Sequence, residues 1–131
     1  MGAWGCSVFE NDDALDWVYE LEGRSDDELL RAAFSTVIDE EEYLEAPQSA
    51  EALAAAEVVA AMCGKPVAQL PDEAREYVSR VEFAVDDSLK QQARAAVEKV
   101  ANDSELRELW EDSEHLDQWT ETIEDLIRRL T

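Results

Sequence analysis

Apolar residues recur along most of this chain three and four positions apart, the spacing that lines up one face of an α-helix. Ala14, Trp17, Val18 and Leu21 form the first such stripe. It predicts a helix from Asp12 to Glu22, capped by Asn11 or Asp12, with acids in its first turn and Gly23 as its stop. A second helix is expected from Ser25, where Ser25-Asp26-Asp27-Glu28 has the form of a capping box, to about Asp39. It would bury Leu30, Ala33, Phe34, Val37 and Ile38. From Ser49 to Cys63, ahead of Gly64, the chain is rich in alanine and valine. This third helix is expected to be the central and most enclosed one.

Further stripes follow. One begins at Asp72 behind Pro71 and carries Ala74, Tyr77, Val78 and Val81. The next begins at Asp87 and carries Leu89, Ala93, Ala96, Val97 and Val100, ending at Asn102-Asp103-Ser104. The tail places Leu106, Leu109 and Trp110 before a break near Ser113. Leu116, Trp119, Ile123, Leu126, Ile127 and Leu130 follow, with Arg128 and Arg129 suited to a final helical turn. Only Ala3 to Phe9 could be extended. There is no internal repeat, sustained heptad or Pro/Gly-rich linker. The expected architecture is all-α: one domain over 1–131, an irregular bundle of six or seven helices with a short extended N-terminal segment.

Composition supports a packed core and restricts the partners. The chain of 131 residues is 46% hydrophobic and includes four Trp, so it is not a disordered acidic tail. Its 33 Asp plus Glu against 11 Lys plus Arg give a formal net charge of −22. Such a surface repels phosphate and anionic lipid and offers no basic stripe for counterion release, which disfavours nucleic acid and membrane surfaces. It favours a basic protein or a metal cation, and it also confers solubility with no partner at all. Cys6 and Cys63 form no C-x-x-C pair and read as small core residues. The start has no basic and apolar signal segment, and Ala52 to Cys63 is interrupted by Glu57 and shorter than the ~20 residues of a bilayer span. Cytoplasmic residence is the expectation.

Most catalytic constellations lack a required member. His115 is the single histidine, so a pair of Glu-x-x-His motifs cannot be assembled, and its expected place is an exposed position at the start of the last helix. There is no Walker A loop, no G-x-G-x-x-G, no calcium loop and no G-x-S-x-G elbow. No cofactor is expected.

Three patches remain. The first is the opening, Gly2-Ala3-Trp4-Gly5-Cys6-Ser7-Val8-Phe9-Glu10-Asn11-Asp12-Asp13-Ala14-Leu15-Asp16-Trp17. The glycines permit a sharp turn around Trp4, and Phe9 can act as a hydrophobic staple before the helix cap. On this basis Trp4, Phe9 and Trp17 are expected to cluster against the alanine-rich third helix. A binding alternative has Trp4 stacking on a ligand while Glu10, Asn11 and Asp12 supply polar contacts. The G-A-W-G, F-E-N-D and D-W elements of this block resemble the opening of the mainly bacterial domain of unknown function family 4259. The resemblance continues through Tyr43-Leu44-Glu45-Ala46-Pro47 and Ala52 to Ala61, and more loosely to the Leu-x-x-Leu-Trp of the tail. It implies a stand-alone small domain and no particular activity.

The second patch is Glu57, alone among alanines and valines. On a helical wheel it shares a side with Ala50, Ala54 and Ala61. Either it faces solvent, or it is a buried carboxylate that must be paired or protonated. The third is the acidic run Asp39, Glu40, Glu41, Glu42 and Glu45, interleaved with Tyr43, inside a stretch from Ala32 to Gly64 that has no Lys or Arg. It is a solvated loop or a docking surface for a cationic partner, with Tyr43 and Leu44 adding apolar contact.

The leading expectation is a small acidic protein-interaction or regulatory domain that binds a basic protein. An enzyme in which Glu10, Asp12, Asp13 and Glu57 converge on a divalent cation is the competing class, and a passive acidic domain is a third. The charge itself has a measurable consequence: repulsion among uncompensated carboxylates opposes the compact state, so the melting temperature near neutral pH is expected to rise with NaCl. Melting curves at low and high NaCl check this. A fall would mean that local ion pairs outweigh the net repulsion.

Overall fold

A computed structural model of the chain describes residues 7–131. These residues form seven helices and no strand: α1 (Asp12–Tyr19), α2 (Glu28–Ile38), α3 (Ala46–Met62), α4 (Asp72–Arg80), α5 (Asp87–Asn102), α6 (Glu105–Glu111) and α7 (Leu116–Arg129). The all-α irregular bundle read from the hydrophobic spacing is the observed architecture. Ser7 to Glu10 make a turn, with the Glu10 N–H donating to the Ser7 carbonyl, and the rest of the expected extended segment lies outside the described residues.

The alanine-rich α3 is central, as its composition predicts. It packs against every other helix, and Ala52 through Ala60 are all buried. Side chains that end at Cβ keep the helix narrow, so neighbours close around its whole circumference. Leu30, Phe34 and Val37 of α2, with Leu89, Ala93, Ala96 and Val97 of α5, form the most extensive wall of the core. Trp17 and Val18 of α1 and Ile123 and Leu126 of α7 complete it. Trp110 of α6 stacks on Trp119 of α7, ring centroids 6.4 Å apart, across a corner where the Ser113 hydroxyl donates to the Trp110 carbonyl and accepts from the His115 N–H. This is the break expected near Ser113, and His115 is exposed beside it.

Helix ends show which signals are local. The Asn11 side chain accepts from the Ala14 N–H at 2.8 Å, Asp86 caps α5 through the Leu89 N–H at 2.7 Å, and Ser104 caps α6 through the Arg107 N–H at 3.1 Å. Gly64, at φ +84°, takes the left-handed conformation that ends α3.

Three expected boundaries are corrected. The first helix ends at Tyr19 rather than Glu22, after which the chain winds in tighter turns to Gly23 while Arg80 gathers the Leu21 and Arg24 carbonyls at 2.9 and 2.8 Å. The capping box at Ser25 does not form, and α2 starts at Glu28. The Asp27 carboxylate is taken by Arg31 at 2.7 Å, and the Asp26 carbonyl by the hydroxyl of the buried Tyr77. The third helix starts at Ala46, not Ser49, because its first free N–H is capped from another helix by the Glu105 carboxylate at 2.7 Å.

Enclosure of α3 leaves no room for a larger side chain on it. Ala55→Leu is expected to destabilise the fold by about 1 to 3 kcal/mol, the range for overpacking a filled core, as read by urea unfolding.

Candidate functional site

Glu57 does not face solvent. It lies on the enclosed part of α3 and is 1% exposed, so its charge must be met inside the protein. The partner is Arg129 in the last turn of α7, whose two terminal nitrogens donate to the two Glu57 oxygens at 2.7 and 2.9 Å. The same guanidinium donates through Nε to Asp125 at 2.8 Å and through Nη1 to the Lys65 carbonyl at 3.2 Å. Hydrogen bonding to Glu57 holds the Arg129 guanidinium above its ordinary value, against the burial that pulls it down. The planar fork of arginine suits this two-point contact, which a lysine would not reproduce.

Above this pair opens a cavity of about 540 Å³ between α3 and α7. Ser7, Val8, Val67 and Gln69 line one side, and Glu121, Asp125 and Arg128 of α7 the other. The N-terminal block thus reaches the Glu57 region through Ser7 and Val8. Phe9 and Trp17 are buried in the core cluster, while Trp4 lies outside the described residues. The polar members of that block act on their own backbone: Glu10 accepts from the Ser7 N–H at 3.2 Å, and the Asn11 amide donates to the Val8 carbonyl at 3.0 Å. Asp12 is exposed in the first turn of α1.

These positions bear on the cation-binding arrangement. Both Glu57 oxygens are occupied by Arg129, and among the described residues no three His, Cys, Asp or Glu side chains gather into a metal-holding group. Glu57 serves as the counter-ion of Arg129.

The acidic run forms the connection between α2 and α3, and it is tethered at both ends. Lys99 of α5 donates through Nζ to the Ile38 carbonyl at 3.3 Å and also to the Glu40 carbonyl. The Leu44 carbonyl accepts from the Glu105 N–H at 2.8 Å, and the Tyr43 hydroxyl donates to Glu108. That bond pushes the Tyr43 phenol up to about 12. Leu44 is buried as the anchor. Asp39, Glu41, Glu42, Tyr43 and Glu45 remain exposed, so the backbone is fixed while the carboxylates stay in water. The tethers were hidden from sequence reading because Lys99, Glu105 and Glu108 lie about 60 residues away on other helices. Arg129 was visible only as a residue suited to a helix C-terminus.

The profile of the family described as Domain of unknown function (DUF4259) matches residues 2–122. The chain belongs to this family, as the G-A-W-G and F-E-N-D elements imply. Neither a curated protein nor a solved structure matches it. Among the described residues, no helix is long and apolar enough to cross a membrane.

The buried pair has a definite energetic signature. Arg129→Met is expected to cost about 3 to 5 kcal/mol, because it leaves the Glu57 carboxylate buried without a counter-charge. Adding Glu57→Leu should recover most of the loss. Chemical denaturation of the two variants checks both values, and equal stability of the single and double variants would show that the cost lies in lost packing of α7.

Proposed function

We propose that this chain is a small cytoplasmic protein-interaction domain that docks a basic protein on the α2–α3 loop. The observation that carries the reading is the fixed presentation of that loop. A mobile acidic segment would lose conformational freedom on binding, and its side chains would need to be ordered by the partner. Here the backbone from Ile38 to Ala46 is held by Lys99, Glu105 and the Tyr43–Glu108 bond, while Asp39, Glu41, Glu42 and Glu45 point their charge at water. Tyr43, 51% exposed, adds an aromatic surface of the kind favoured at interface centres, with the carboxylates around it as a charged rim. The overall charge of −22 supplies long-range attraction for a cationic partner.

The test compares position with net charge. The tagged chain is used to capture proteins from a native lysate at low salt, alongside a variant with Glu40, Glu41, Glu42 and Glu45 changed to Gln. A second variant removes the same number of charges at Glu111, Asp112, Glu114 and Asp117. The reading expects one basic protein in stoichiometric amount with the unaltered chain and the second variant, and its loss with the loop variant. Equal loss from both variants would mean that diffuse charge alone attracts the partner. Recovery of no stoichiometric basic protein would favour the passive acidic domain.

A further inference from the structure

The loop that presents the acidic run must enter α3, and α3 makes no provision for its own start. Its N-cap residue, Glu45, gives no side-chain hydrogen bond, whereas Asn11, Asp86 and Ser104 cap α1, α5 and α6 in that way. Pro47 in the first turn has no N–H to satisfy. The Ala46 N–H is therefore the first donor of a 17-residue helix whose peptide dipoles turn their positive end toward the loop.

Glu105 of α6 meets that donor. Its carboxylate accepts from the Ala46 N–H at 2.7 Å, and its own backbone N–H donates to the Leu44 carbonyl at 2.8 Å. One residue thus grips the loop on both sides of Glu45. Further along α6, Glu108 accepts from the Tyr43 hydroxyl. That hydrogen bond first, and then the charges of Glu108, Glu105 and Glu45, push the Tyr43 phenol up, so the Glu105 carboxylate lies within electrostatic reach of the exposed ring as well. Glu105 is itself held from behind. The buried Ser104 donates to the Val100 carbonyl at 2.7 Å and Arg107 to the Ala101 carbonyl at 2.7 Å, which fixes the corner before and after Glu105 to the end of α5.

We infer that Glu105 is the positioning residue of the docking loop, acting through the geometry it imposes on Leu44 to Ala46 rather than through its charge. The inference rests on the docking function proposed for that loop. Lys99 holds the loop only as far as Glu40, and Glu108 holds only the tip of a side chain. The backbone from which Tyr43 and Glu45 project is set by Glu105. Its carboxylate is half-buried and turned to the Ala46 N–H, while Glu41, Glu42 and Glu45 are exposed. Charge and geometry are separable here, because an amide oxygen accepts the same hydrogen bond as a carboxylate oxygen. Glu105→Gln and Glu105→Ala remove the same charge, and only the second removes the acceptor.

The probe is an octa-arginine peptide titrated into the ¹⁵N-labelled full chain and into both variants, each checked for folding by its melting curve. The unaltered chain is expected to show a saturable shift centred on the amides of residues 39–45. Glu105→Gln should bind within about twofold of it, and Glu105→Ala about fivefold more weakly, the scale of one lost helix cap. Amide hydrogen exchange at Ala46 and Ser49 supplies a readout without peptide: it should quicken in Glu105→Ala and stay unchanged in Glu105→Gln. Equal affinities for the two variants would overturn the positioning role and leave the docking function standing, as would unchanged exchange in Glu105→Ala. Absence of a saturable shift at residues 39–45 of the unaltered chain would overturn both.

Discussion

Everything in this fold depends on how closely its helices approach α3. Alanine at eight of the 17 positions of that helix gives it little girth, so six neighbours can surround it, and the core is made as much from backbone proximity as from large side chains. The arrangement has a consequence for polarity. The enclosed part of the helix, from Ala52 to Ala60, has no wet face, and Glu57, the one carboxylate within it, must be answered by a charge from elsewhere. Arg129 is that charge, so the placement of α7 is set by electrostatic necessity as well as by the apolar stripe of Trp119, Ile123 and Leu126.

The distribution of the few cations follows the same logic. Arg31, Arg80, Lys99, Arg107 and Arg129 each reach across or along elements to carbonyls or carboxylates that hold a joint of the fold. The stretch from Ala32 to Gly64 has no cation of its own and borrows Lys99 and Arg129 from distant helices. The excess of negative charge in that stretch includes the fixed acidic loop, whose backbone Lys99 and Glu105 hold.

What could be read from the sequence was whatever is decided within one or two helical turns. Asn11, Pro71 and Gly64 mark helix ends through bonds or dihedral constraints that involve only adjacent residues, and their positions are as the residue types imply. Boundaries set by distant groups were not readable. Ser25 to Glu28 satisfies the capping pattern, but the Glu28 N–H donates to the Asp26 carboxylate at 3.3 Å and the Glu28 carboxylate pairs with Arg24. Ala46 starts α3 with its N–H capped by Glu105 from 59 residues away, and the local sign of that start is Pro47 in the first turn. Glu57 lay between these cases: its setting among alanines marked it as unusual, while its pairing depended on tertiary structure. Glu10 and Asn11 hydrogen-bond inside their own turn, with Ser7 and Val8.

The separation of Glu57 from Arg129 also has a temporal meaning. The two are 72 positions apart, and the carboxylate is made first. At ribosomal speeds of about 5 to 20 residues per second, the segment that becomes α3 exists for on the order of ten seconds before its counter-ion is synthesised. During that interval enclosing the middle of α3 would strand the Glu57 carboxylate without its counter-ion. Glu57 thus acts as a latch on the order of assembly, keeping one side of the nascent core wet until the strand of chain that closes it has arrived.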